Sequence, residues 1–256
     1  MIHPAAIVEP GAKLGEGVTV GPYAVIGAGV TLGEAVEVGP HVVLTGRTTV
    51  GARTRIFAHA CVGHEGQIVG PPSEDTLLEI GCDNVLREHV TIHRGSSKGS
   101  GETRVGERNY LMNGVHVGHD CIVGSDCVAA SFTALGGHVE IGDHAVLGAY
   151  TGVHQHCRVG ESAMTAAGTK ATKDVAPYVT VAGDRARLVG LNGVGLRRRG
   201  FEPDEIAALK RAYQRVFASG LRVDEAVAAL EAEGTQTPHV RKLVEFVRKS
   251  ERGVVR

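Results

Sequence analysis

The stretch NGVHVGHD, Asn113–Asp120, sets His116 and His119 three residues apart, with Asp120 directly behind the second histidine. Three kinds of chemistry are open to it. A histidine, with an ordinary pKa near 6.5, can take a hydroxyl proton at neutral pH, and a carboxylate on its other ring nitrogen would fix the tautomer and stabilise the imidazolium. Convergent imidazoles could instead hold a metal ion, with His116, His119 and His138 as ligands. The plain alternative is turn decoration, which suits most of the 13 histidines, among them His41, His59, His89 and His239. The choice depends on where each side chain points, and so on the elements that carry it.

Those elements repeat every six residues. Aliphatic residues fall at Val8, Leu14, Val20, Ile26, Leu32, Val38, Leu44, Val50, Ile56 and Val62. A second run, shifted by one in phase, goes Val105, Leu111, Val117, Val123, Ala129, Leu135, Ile141, Leu147, Val153 and Val159, and glycine follows most of these positions. Neither a helix nor an ordinary strand has this period. A hexapeptide β-helix does, with one short strand and one turn per repeat and the aliphatics stacked inward. Small or β-branched residues four after the aliphatic, such as Ala12, Val18 and Thr48, fit a narrow interior. That interior explains how 256 residues manage with no Trp and five Phe.

Two segments interrupt the rhythm: His64–Leu78 with its Pro-Pro, and the Gly/Ser-rich Arg94–Thr103. Both are expected to be loops thrown out from the prism. From Glu202 the pattern turns helical, with Pro203 at a first helical position and Gly220 as a stop. The expected architecture is an all-β parallel β-helix over residues 1–185 and a small α-helical domain over 186–256.

Bulk properties bound the function. Acidic and basic residues number 28 and 27, so no global field favours nucleic acid or an anionic membrane. Five cysteines without a C-x-x-C pair read as reduced, structural thiols. No signal-peptide pattern opens the chain, and no apolar run reaches membrane-spanning length. The expectation is a soluble, cytoplasmic protein without a transmembrane segment.

Three hexapeptides make one coil, so residues 18 apart lie one above another, at roughly 4.8 Å. His119, Gly137 and Gln155 then form one outer column, with Asp120, His138 and His156 beside it. His119 is expected to be exposed next to a glycine backbone. The Gly137 N–H, with no Cβ in the way, could stabilise a tetrahedral oxyanion. The pattern suits acyl transfer with a histidine base and direct attack by an acceptor hydroxyl.

REHVTIHRG (Arg87–Gly95), HVGHDC (His116–Cys121), GGHVEIGD (Gly136–Asp143), GVHQHC (Gly152–Cys157), DVAPYV (Asp174–Val179) and GLRRRGF (Gly195–Phe201) carry a resemblance over nearly the whole chain. It resembles the acyl-carrier-protein-dependent UDP-N-acetylglucosamine O-acyltransferases that open lipid A biosynthesis. The resemblance implies a left-handed winding and a homotrimer with active sites in the clefts between prisms. It implies His119 as general base, Asp120 as its partner and Gly137 as oxyanion donor. Gln67, His116, His138, His154 and Gln155 would bind the nucleotide sugar or pantetheine, and Asn192, Arg198 and Arg199 the uridine diphosphate. The acyl chain would lie in a groove set near Met164 to Gly168, with Ala167 limiting its length. No metal or resident cofactor is implied; phosphopantetheine arrives on acyl carrier protein, an acidic partner for which GLRRRGF, Lys210, Arg211, Arg215 and the 240–252 segment are the basic candidates.

Two positions depart from the family pattern. Ile68 follows Gln67 where the family has an acid, and Val194 stands where it has a glutamate before the arginine pair. Their loss leaves room for a different acceptor, such as a UDP-linked 3-amino sugar acylated on nitrogen. A metal-dependent hydratase on the same prism and a non-catalytic scaffold are the readings from other classes.

Overall fold

The computed structural model describes residues 1–70, 75–232 and 237–256. Short strands, mostly of two residues, build three parallel sheets of nine, eight and ten strands, which form the faces of a left-handed triangular prism. Face one carries His116–Val117, face two Ile122–Val123 and face three Val128–Ala129. Register follows the expected rise of one coil per 18 residues: Val117 pairs with Leu135 and Leu135 with Val153. The aliphatics of both runs point inward and, from Val20 onward, are buried. With one such residue per strand, the interior closes on itself without aromatic filling.

The two interruptions account for the phase. Across the first, Val62 pairs with Ile92, a step of 30 (18 + 12), so two whole hexapeptides are looped out and the phase is kept. Across the second, Ile80 pairs with Val105, a step of 25 (18 + 7). Seven is one hexapeptide and one residue more, which gives the one-residue shift between the runs. The Pro-Pro of the first loop lies in 71–74, outside the described residues. The second loop does not stand away from the prism, as the sequence suggested: Gly95 and Ser96 are buried, and the loop folds back against the edge between faces one and two.

Each edge turns through a residue in the left-handed region, where Asn, Asp and His are the usual non-glycine occupants. Asp120, His138 and His156 hold this position on the edge between faces one and two, at φ 58°, 60° and 61°. The strand Arg187–Leu191 then returns antiparallel onto Val179–Ala182 and ends the ten-stranded sheet. Among the described residues four α-helices follow: α1 Gly193–Arg198, α2 Pro203–Tyr213, α3 Val223–Ala232 and α4 Pro238–Arg248. Pro203 opens α2, and a π-helical turn over Gln214–Ala218 runs into Gly220 at φ 80°. The C-terminal segment comes back to the prism, where Asp174 N–H donates to Gly253 O and Val255 N–H to Asp174 O. No helix among the described residues is long and apolar enough to cross a membrane.

Candidate active site

His119 leaves the prism at the turn after strand His116–Val117, so its ring stands outside the core. It is nevertheless not exposed as expected. Only 17% of its side chain is accessible, and none of Asp120's. Two loops cover them: a Cβ on Gly66 would stand 2.9 Å from His119 Cβ, and one on Gly99 would stand 2.4 Å from Asp120 Oδ2. At both glycines the His119 and Asp120 side chains lie where a Cβ would be.

Asp120 is surrounded by donors. Oδ1 accepts from Ser96 N–H at 3.1 Å, Ser100 Oγ at 3.0 Å and Gly101 N–H at 3.0 Å. Oδ2 accepts from Ser96 Oγ at 2.6 Å and lies 2.7 Å from His119 Nδ1. Burial by itself would raise this carboxyl's pKa; the bonds from Ser96, His119 and Ser100 reverse that and hold it at about 2. An ionised carboxylate only accepts, so Nδ1 carries the ring proton and Nε2 keeps a lone pair. The imidazole has the tautomer of a base.

That free side faces the next coil. His119 Cε1 and Nε2 lie 2.5 Å from the point where a Cβ on Gly137 would stand, so the ring occupies the space this glycine leaves. Among the described residues the Gly137 N–H meets no backbone acceptor, while its carbonyl accepts from His156 N–H at 3.1 Å. His138 meets His119 edge-on at 5.0 Å between ring centroids and stacks on His156 at 4.4 Å. Burial lowers the pKa of His138, which favours a neutral ring beside the base.

The remaining expected residues divide by edge. His154 and Gln155 are exposed on the same edge as His119, one coil beyond Gly137, and Gln67 is exposed in the loop that covers the base. His116 faces outward on face one, its Nδ1 2.9 Å from Thr91 Oγ1 and its ring 5.2 Å from that of the buried His93. A shallow groove of about 350 Å³ runs from there past Ala134, Gly136 and Gly152 to Lys170. The other five are elsewhere. Asn192 is buried on the edge between faces two and three, donating to Ser162 O at 2.9 Å and accepting from Gly195 N–H at 3.1 Å as the cap of α1. Arg199 bonds Glu161 at 3.0 Å on that edge, Arg198 is exposed beside it, and Val194 is 55% exposed. Met164 projects from face three and Ala167 lies on the edge between faces three and one. Within one chain these residues do not meet His119, as a single-chain site would require.

His119, Asp120 and His138 have ligand atoms within 4.8 Å of one another, which invites a metal reading. His116 does not join them, and both Asp120 oxygens already accept from N–H and O–H donors, so a cation would have to displace the carboxylate's own clamp. Two cysteines near the site are poor nucleophiles: burial raises the Cys121 and Cys127 thiols to about 12.

Residues 174–255 match the family model described as UDP N-acetylglucosamine O-acyltransferase, domain 2, and residues 1–34 match that of the bacterial transferase hexapeptide (six repeats). The acyl-[acyl-carrier-protein]–UDP-N-acetylglucosamine O-acyltransferase of Janthinobacterium sp. (strain Marseille) is 48% identical over 260 residues, which is 100% of this chain and 99% of the relative. This chain belongs to the UDP-N-acetylglucosamine O-acyltransferase family. Family members of known structure superpose along their whole length. That of Moraxella catarrhalis RH4 has 39% identity and a TM-score of 0.96, covering 100% of this chain and 99% of its own. That of Bacteroides fragilis 9343 has 36% identity and a TM-score of 0.97, covering 100% of both. The family's shared scaffold is thus the prism with its helical end.

The covering loop is what sequence periodicity missed. Ser96, Ser100 and Gly101 belong to a stretch with no inward aliphatic, so nothing in its spacing says that it returns to the edge. Its one signal is composition: a run of glycines and serines, able to lie close to another chain and donate.

Proposed function

We propose that the protein transfers a fatty acyl group from acyl carrier protein to the 3-hydroxyl of UDP-N-acetylglucosamine, the first step of lipid A biosynthesis. One observation carries the reading: an imidazole held as a base by a buried, ionised carboxylate, with its free nitrogen over a bare backbone amide. In this reaction His119 Nε2 accepts the proton of the sugar hydroxyl. The sugar oxygen attacks the thioester carbonyl carbon, and the Gly137 N–H holds the resulting oxyanion. Collapse breaks the carbon–sulfur bond, and the imidazolium returns its proton to the pantetheine thiolate. An ester forms, a thioester is consumed, and the base is restored with no metal or resident cofactor.

The scattering of the other residues over three edges supports a trimer. In it, face one of one copy lies against face three of the next, which brings Met164 and Ala167 of the second copy alongside the groove that leaves His116. Acyl and pantetheine chains lie in this cleft. Asn192 shapes the turn that presents Arg198 and Arg199 to the diphosphate. The basic helical domain, from about residue 186, receives the acidic carrier protein, and the whole reaction belongs in the cytoplasm, where that carrier is loaded.

Mass spectrometry of the product made from UDP-N-acetylglucosamine and a mixed pool of acyl-carrier proteins tests this reading. The expected product carries one acyl group in ester linkage at the 3-position. Acylation only of a 3-amino sugar, in parallel reactions, would instead support the N-acyltransferase suggested by Ile68 and Val194.

A further inference from the structure

We propose that Ser96 and Ser100 are positioning residues, and that the loop Arg94–Thr103 serves to hold the Asp120 carboxylate at the angle that keeps His119 a base. The inference rests on the acyltransferase reading for its consequence in turnover, and on geometry for the clamp itself. A carboxylate can rotate about its Cβ–Cγ bond, and any rotation here takes Oδ2 away from Nδ1. Ser96 blocks rotation from both sides at once, since its N–H meets Oδ1 at 3.1 Å and its hydroxyl meets Oδ2 at 2.6 Å. Gly101 N–H adds a second anchor on Oδ1 at 3.0 Å. Ser100 contributes less than Ser96: its hydroxyl lies 3.0 Å from Oδ1 and 3.0 Å from the Glu102 carbonyl, so one proton is shared between two acceptors.

Three further observations point the same way. Ser96 is fully buried, so its hydroxyl has no solvent role. Gly99 puts backbone against the outer face of the carboxylate, closing the direction in which it could swing toward water. A carboxylate with none of its surface accessible has no water to replace a lost partner, and removal of a donor there leaves the charge underpaired. A loop needed only to link two strands would have no reason to aim four of its donors at one side chain.

The test is the Ser96→Ala/Ser100→Ala double variant, with Ser96→Thr as the conservative control that keeps the hydroxyl. The expected result is a fall in kcat of about 10- to 100-fold, the scale of lost hydrogen bonds to a charged group, with KM for the UDP-sugar nearly unchanged. Ser96→Thr should recover most of it. Independently of turnover, the ¹⁵N spectrum of the His119 imidazole, taken in the substrate-free protein, should show the share of the Nδ1–H tautomer falling in the double variant and restored in Ser96→Thr. A folded double variant with kcat within about twofold of the parent and an unmoved tautomer signal would overturn the proposal. Should the parent protein transfer no acyl group at all, the imidazole spectrum still decides the clamp, and the failure belongs to the functional reading.

Discussion

His119→Ala is expected to lower kcat for acyl transfer by about 10²–10⁴-fold, the usual contribution of a positioned general base. The loss should appear in kcat, because the proton moves only as the sugar oxygen attacks. His119 stands outside the prism, and the flanking Val117 and Cys121 are buried in its core. Circular dichroism of the variant should therefore match the parent, with thermal stability lowered only by the lost His119–Asp120 bond. Steady-state kinetics at saturating UDP-sugar and acyl-carrier protein are the check, and a variant with near-parental kcat would remove the proposed mechanism.

Asp120→Asn is expected to be as damaging, at about 10³–10⁴-fold in kcat, for a different reason. An asparagine at this site keeps shape and volume but can turn its amide N–H₂ toward Nδ1. That nitrogen would then accept, Nε2 would carry the proton, and the ring facing the sugar hydroxyl would have nothing to take a proton with. The clamp shows which way the amide settles. The backbone N–H groups of Ser96 and Gly101 both point at Oδ1 and can only donate, so the amide oxygen settles there and the N–H₂ takes the Oδ2 place beside Nδ1, where the Ser96 hydroxyl can turn to accept. The folded-state pKa of Asp120, about 2, lies below its ordinary value near 3.9, so its ionised form stabilises the fold above pH ~4, and that stabilisation fades as pH falls through about 2. Asp120→Asn should lose this acid-side dependence as well as turnover. A kcat within about tenfold of the parent would argue against the tautomer as the reason for the dyad.

The fold was legible because its signal repeats. Each inward aliphatic, from Val8 to Val159, marks one strand, and the 18-residue step by itself aligned His119 over Gly137 and Gln155. Even the phase shift between the two runs carried information, since it encodes a loop of one hexapeptide and one residue. The burial of the site was not legible. Solvent exposure of His119 follows from the period alone only if the loops stay away, and Gly66 and Gly99 bring them back. The role of Asn192 was partly hidden for a related reason: side-chain amides serve equally as ligands and helix caps, and only the path of the chain after Leu191 shows this one capping α1. The spread of Met164 and Ala167 over another face and edge was in the sequence arithmetic, because residues that differ by six change face. Reading it requires asking which copy of the prism each residue would meet.

The most direct measurement is a crystal structure of the protein with the acylated UDP-sugar bound. The account predicts the 3-oxygen of the sugar within about 2.6–3.2 Å of His119 Nε2, and the acyl carbonyl oxygen toward the Gly137 N–H. A product whose ester lies on another edge of the prism, with His119 still closed under its loops, would contradict it.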